Sequence, residues 1–298
     1  MQNDRSKSLL LLHFLIFIWG FTSILGALIS LDSLPIVWHR MTFATVMIAV
    51  YFWFFSRASF RIHPGVFKWY LTGGVLIAIH WILFFYAIKI TTIALTLSIL
   101  SSASLMTSIL EPILYQRPFR RYEIVFGVVV IFGLLLIYGV QKEQLFGIAI
   151  ALLATLLSVL FSLLNGRLIQ HYPAKNIAFY QLLTGAVVLT PFLFFSLDSP
   201  AELLPKDGWD VLWLFLLASV CTAYATIASV EVLKHVSPFT MMISLNLEPV
   251  YAIVFSLFIF GEKEYMSPQF YVGVLVILLG VIGNGIYKRR AQKKSLTQ

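Results

Sequence analysis

The sequence is short of charge and short of cysteine, and no long polar stretch interrupts it. Only 11% of its 298 residues are charged, less than half of the roughly 25% usual in a soluble domain. A water-exposed globule needs polar groups to cover its surface, so that class is excluded; lipid can cover what polar side chains do not. There is one cysteine, Cys221, and it sits inside an apolar run, so no disulfide framework and no cysteine metal site can be built. Missing too are a G-x-x-x-x-G-K-[ST] phosphate loop, an H-E-x-x-H metal motif and a G-x-S-x-G nucleophile turn. Nucleotide-driven transport within this chain, zinc hydrolysis and serine hydrolysis therefore have no carrier, and the chain is expected to be neither an enzyme nor a cofactor protein.

What is present is apolar. Hydrophobic residues make up 60% of the chain, which also excludes disorder. The net charge of +8 sits in short gaps between apolar runs, so it reads as orientation in a membrane rather than attraction to nucleic acid. A helix needs about 20 apolar residues to cross about 30 Å of hydrocarbon. Ten segments qualify: about 8–30, 35–55, 67–88, 92–115, 122–140, 146–166, 175–196, 209–232, 238–260 and 268–287. Lipid tolerates no unsatisfied backbone, so helices are the natural form for such runs. Arg5 and Lys7 before the first run resemble a signal peptide, with Gly26 and Ala27 as a cleavage-like site. Retention as the first helix is preferred, because the later topology works with it in place.

With the N-terminus inside and strict alternation, sixteen Lys and Arg residues fall on inner segments and four on outer ones, Lys89, Lys142, Lys206 and Lys263. This is a strong positive-inside bias, and it supports both the count of ten and cytoplasmic termini. The two halves also echo each other. Lys89, Thr92 and Ser104 align with Lys234, Ser237 and Pro249 at a common offset of 145, and Arg40 matches Gln181 at an offset of 141. The expected organisation is one five-helix repeat over 1–140 and a second over 141–298, with a short basic cytoplasmic tail. Five is odd, so the second repeat enters from the opposite side. The expected fold is thus an all-α membrane protein of ten transmembrane helices arranged as two inverted five-helix repeats, a plan suited to alternating access around a midplane site.

Several motifs run in a set order: Trp19-Gly20, Arg40, Ala87-Ile88-Lys89, Arg117, Gly127 and Gly133, then Glu248-Pro249-Val250, Gly261-Glu262, Gln269, Gly273 and Gly280. In this set the sequence resembles the EamA-type branch of the drug/metabolite transporter superfamily, over essentially the whole chain. The resemblance implies export of a small molecule, often an amino acid or related metabolite. The first half departs from the pattern: Ser104 stands where proline is common, Gln116-Arg117 replaces Gly-Glu, and a proline stands instead at Pro112. A first-half kink displaced toward Pro112 is the expectation that follows.

A charge in hydrocarbon costs about 2.5–3.5 kcal/mol on insertion scales, so each needs a reason. Glu248 lies mid-helix on a stripe with Met241, Ser244, Tyr251 and Phe255, and Pro249 beside it frees a carbonyl one turn back. Two readings are open: a substrate-amine or proton site, or a protonated glutamate bonded to a neighbouring helix. Ser101, Ser104, Ser108 and Glu111 form a second stripe, read either as a polar cavity wall or as close helix packing. His80-Trp81 and Trp19 lie at mid-depth as cavity or packing candidates; Tyr86, Tyr180 and Gln181 are weaker ones. Arg40 reads as structural, snorkelling outward. His13 and Asn165 read as solvated interface positions. Glycines on the fifth and tenth helices read as close-packing sites that could also make a homodimer face. The partners expected are a small-molecule substrate and the lipid bilayer. The functions weighed are a secondary transporter first, then a non-transporting scaffold or receptor, then a membrane-embedded enzyme.

Overall fold

A computed structural model describes residues 2–55, 60, 64–140, 144–261 and 265–296. Arg57, Arg61, Lys142, Glu262 and Lys263, used in the charge argument or the motif set, lie outside the described residues. The described residues of the chain form helices joined by turns, with no strand among them. Its elements are α1 Gln2–Leu28, α2 Ser33–Phe55, α3 Phe67–Ile90, α4 Ile93–Leu100, α5 Ala103–Tyr115, α6 Arg121–Val140, α7 Leu145–Leu168, α8 Ala174–Ser196, α9 Gly208–Ala218, α10 Ala225–Val232, α11 Pro238–Leu245, α12 Glu248–Phe260 and α13 Pro268–Leu296. A π-helical stretch, Ser219–Tyr224, joins α9 to α10. Among the described residues, eight continuous or broken helices are long and apolar enough to cross a membrane. The side chains agree with lipid as solvent: Phe195 is 89% exposed and Phe258 84%. A row of such rings facing water would be an association surface.

The repeat is sharper in three dimensions than in sequence. α4 begins at Ile93 and ends at Leu100, and α11 begins at Pro238 and ends at Leu245. α5 runs from Ala103 to Tyr115, and α12 from Glu248 to Phe260. Every one of these boundaries is displaced by 145 residues. The caps repeat at the same spacing. The Thr92 side chain accepts from Leu95 N, and that of Ser237 accepts from Thr240 N. The helices end on Gln116 at φ 52° and Gly261 at φ 58°. Positive φ is where glycine is favoured, and here the first half uses glutamine.

Packing follows the same exchange. α1 lies on α12 as α7 lies on α5, α3 on α7 as α10 on α1, and α3 on α8 as α9 on α2. α6 and α13 pack on each other, each being the last rod of its half. Their glycines are used within the chain: a Cβ on Gly133 would stand 2.5 Å from the Ile277 side chain and 2.9 Å from the Gly273 carbonyl oxygen, and one on Gly280 would meet Val129 at 2.9 Å.

Candidate functional site

The two broken rods cross at their breaks. In the second half the chain has helix-to-turn bonds, Asn246 N to Ile243 O at 3.4 Å and Leu247 N to Ser244 O at 3.1 Å, and Pro249, which cannot donate, opens α12. In the first half no proline is near. The break falls at Ser101–Ser102, where Ser101 N is shared between Leu97 O and Ser98 O and Ser102 N turns back to Ile99 O at 3.0 Å. Serine hydroxyls take up the local carbonyls: Ser98 Oγ donates to Ala94 O at 2.7 Å and Ser104 Oγ to Ser101 O at 3.2 Å. Such back-bonding bends helices without a proline. Pro112 lies inside α5, which is continuous around it. Asn246 Nδ2 donates to Ser104 Oγ at 3.3 Å and ties the two breaks together.

Beside this crossing lies a cavity of about 120 Å³. Of the residues singled out in the sequence, Trp19, Arg40, His80, Trp81, Ser101, Asn165, Met241, Glu248 and Pro249 line it. Others stand elsewhere. Ser244 Oγ donates to Thr240 O at 2.8 Å, and Ser108 Oγ to Leu105 O at 2.7 Å, so both hydroxyls are taken up by their own helices. Tyr251 Oη lies 2.8 Å from His13 Nε2, with its ring edge-on to Phe17. Tyr180 Oη donates to Phe60 O at 2.8 Å. Tyr86 is exposed, with its ring edge-on to Phe146. Buried Glu111 serves a different end of the molecule: Oε1 accepts from Arg117 Nε at 3.0 Å and Oε2 from Phe239 N at 2.8 Å, holding the start of α11.

Within the cavity wall, His80 Nδ1 is 2.8 Å from Ala154 O. A carbonyl can only accept, so Nδ1 carries the proton and Nε2 is the nitrogen left for other chemistry. Arg40 is also in this wall and is 1% exposed. It does not snorkel. Its Nε donates to Thr222 Oγ1 at 3.0 Å, and its guanidinium lies 3.8 Å over the Trp81 ring.

A second, wide-open cavity of about 1210 Å³ is lined by Glu111, Tyr115, Arg167, His171, Lys234 and His235, among others. Leu233 lines both cavities. At the far end of the same rods the contacts are tight. Asp210, 3% exposed, accepts from Ser30 N at 2.8 Å, Ser30 Oγ at 2.5 Å and Lys206 N at 3.0 Å. Lys89 Nζ donates to Leu31 O at 2.5 Å. Lys234, the repeat equivalent of Lys89, is instead paired with Glu231 on its own helix at 2.5 Å.

The sequence profile described as the EamA-like transporter family matches residues 6–139 and again 145–286. The chain belongs to the EamA-like transporter family. A protein of Archaeoglobus fulgidus described as an uncharacterized transporter is 21% identical over 291 residues, covering 94% of this chain and 97% of its own. A solved crystal structure superposes with a TM-score of 0.73 at 14% identity, over 96% of this chain and 99% of that one. That likeness shows the fold alone. Family and fold together make this a multi-pass membrane protein with a transporter's role, whose ligands are small molecules in a lipid setting.

In this EamA-like chain the richest polar wall comes from a helix on which the sequence marks only Asn165, read as a solvated interface position; Asn165 is instead 1% exposed, and its Oδ1 accepts from Gln181 Nε2 at 2.7 Å. Thr155, Ser158, Ser162 and Asn165 on α7 all line the cavity, at steps of 3, 4 and 3. This is the same stepping as Ser101, Ser104, Ser108 and Glu111. The α7 stripe stays on one face because its helix is unbroken. The other stripe is cut after Ser101, and of its four members only Ser101 lines the cavity. Spacing was therefore a usable signal, but only where helix continuity was known. Asp210, capped among polar loop residues, gave no such signal.

Proposed function

We propose that this chain is a secondary transporter that exports a small metabolite of the amino-acid kind across the cytoplasmic membrane, by alternating access around the cavity at the crossed breaks. One observation carries the reading: a largely apolar cavity with a few polar groups in its wall lies between two repeat-related broken helices, with a wide vestibule on one side and tight interlocks on the other. The vestibule is lined at the ends of α5, α7 and α10 and the starts of α3 and α11. All of these are ends that the lysine and arginine bias assigns to the cytoplasm. The conformer is then open to the inside and closed to the outside by Asp210, Ser30, Lys89 and Leu31.

The two matched stretches, 6–139 and 145–286, support repeats with the boundary near 140. Five rods in each half support an inverted second repeat, ten crossings, and both termini in the cytoplasm. Inversion explains why one lysine of the repeat pair is latched and the other is not. In the alternate state, Lys234 reaches a carbonyl of the turn at Gln170–Tyr172, and Lys89 releases Leu31. Glu248, in the cavity wall at the head of α12, is placed to hold a substrate ammonium or a coupling proton. No nucleotide is needed; the driving force is an existing gradient.

The test is a metabolite profile of the medium from cells that overproduce the chain and from cells that do not. The reading expects a small set of amino-acid-like solutes enriched outside. Identical profiles at equal growth, with the protein present in the membrane, would reject it.

A further inference from the structure

Arg40 is a buried cation without a buried anion. Among the described residues no carboxylate pairs with it, although Glu248 lines the same cavity. Taking a charge out of water without a partner is unfavourable, so such a group calls for a ligand or a compensating dipole. Its surroundings fix it without satisfying it. Nε is held by Thr222 Oγ1 at 3.0 Å, and Thr222 in turn donates to Leu217 O at 2.6 Å across the π-helical stretch Ser219–Tyr224. Wide helical turns of this kind recur at functional sites, because they present a side chain that a regular turn would not. One face of the guanidinium rests on Trp81 at 3.8 Å, with Phe85 at 5.4 Å. Nη1 is buried and has no hydrogen-bond partner. The fork is thus oriented at one edge, stacked on one face, and unfilled at Nη1.

We propose that Arg40 is the carboxylate receptor of this cavity, taking the two oxygens of a planar anionic group on the transported solute. The inference rests on the transport reading and deepens it, since it names the group by which the solute is recognised. A planar, delocalised cation with parallel donors matches a carboxylate two bonds at a time, which an ammonium cannot do. Trp81 keeps the fork flat against the wall. Asn165, with one buried amide atom unpaired in the same lining, offers a further polar contact. Glu248, elsewhere in the same wall, offers carboxyl oxygens as acceptors, which suits a solute with an ammonium as well as a carboxylate.

The test uses the full chain purified into lipid nanodiscs. Its thermal midpoint is read against an equimolar mixture of free amino acids, and against the same compounds as carboxamides, which keep the amine and side chain but lose the anion. The wild type is expected to be stabilised by the free acids and not by the amides. Arg40→Gln is expected to need about thirtyfold more acid, or worse, for the same shift, as for a buried charge pair that loses one partner. Arg40→Lys is expected to recover part of the response, since it restores charge without the fork. Without ligand, Arg40→Gln is expected to melt no lower than wild type, because relief of a desolvated, uncompensated charge offsets the lost bond to Thr222 and the lost stacking on Trp81; a purely structural arginine would give a lower midpoint. Amides as effective as acids, an unchanged response in Arg40→Gln, or no response of the wild type to the acids would each overturn the proposal. If the medium profile reveals export of a neutral or cationic solute at equal rates with and without Arg40→Gln, the transport reading stands and this inference falls. If free acids stabilise the wild type yet no solute crosses, the transport reading is the one that fails.

Discussion

On the proposed alternating-access reading, replacing Asp210 by asparagine should unlock the end of the molecule that its hydrogen bonds hold together. The carboxylate accepts three hydrogen bonds, from Ser30 N, Ser30 Oγ and Lys206 N, at 2.8, 2.5 and 3.0 Å. An amide has one oxygen, and its NH₂ would face at least one backbone N–H that also donates. One bond is lost outright, and the remaining two lose their charge assistance. The Lys206 bond is local, between residues four apart in the chain, so only the two Ser30 bonds bridge the closed end. A hydrogen bond to a charged group contributes about 1.5–3 kcal/mol against about 1 kcal/mol for a neutral one, so the change removes about 1–3 kcal/mol from the closed state. At about 1.4 kcal/mol per decade, the population open at that end rises up to about a hundredfold. The assay is thiol labelling. The native Cys221 is removed as Cys221→Ser, and Ser101→Cys places a reporter in the cavity wall. A membrane-impermeant maleimide added from the Asp210 side should label the Asp210→Asn protein up to about a hundred times faster than its parent. An unchanged rate in folded protein would refute the idea that this carboxylate closes the exit.

Two further outcomes concern the scaffold. Gln116→Gly relieves a left-handed residue at φ 52° and should raise stability by about 0.5–1 kcal/mol, read as a higher thermal midpoint with flux unchanged. Gly133→Ala drives a methyl to 2.5 Å from Ile277 and 2.9 Å from the Gly273 carbonyl, so α6 and α13 must separate; a loss of about 1–3 kcal/mol is expected, and a neutral midpoint would show that this contact yields freely.

The bilayer made much of the architecture legible. Where water is excluded, every apolar run long enough to cross must be helical, and charge falls into the gaps between runs. The 145-residue offset, seen in the sequence only at Lys89, Thr92 and Ser104 and their partners, reappears in the boundaries and caps of both broken helices. The break at Ser101–Ser102 was not legible. Proline announces a lost donor, whereas serines that turn inward to their own carbonyls look the same as serines that face a cavity. That ambiguity moved Ser104, Ser108 and Glu111 out of the cavity wall and left Thr155, Ser158 and Ser162 unnoticed. Arg40 was misjudged for a related reason. A cation in the outer third of a helix can reach the interface if its face points to lipid, and only the packing of α2 against the π-helical stretch fixes it pointing inward.

The central claim is that solute crosses the membrane through the cavity at the two breaks, with Glu248 in its wall. Proteoliposomes loaded with the solutes that overproduction enriches in the medium, and carrying either the wild type or Glu248→Gln at equal density, test it most directly. Efflux from the wild type that is abolished, or stripped of its pH dependence, by the single substitution is the predicted result. Wild-type flux with unchanged pH dependence in Glu248→Gln would contradict it.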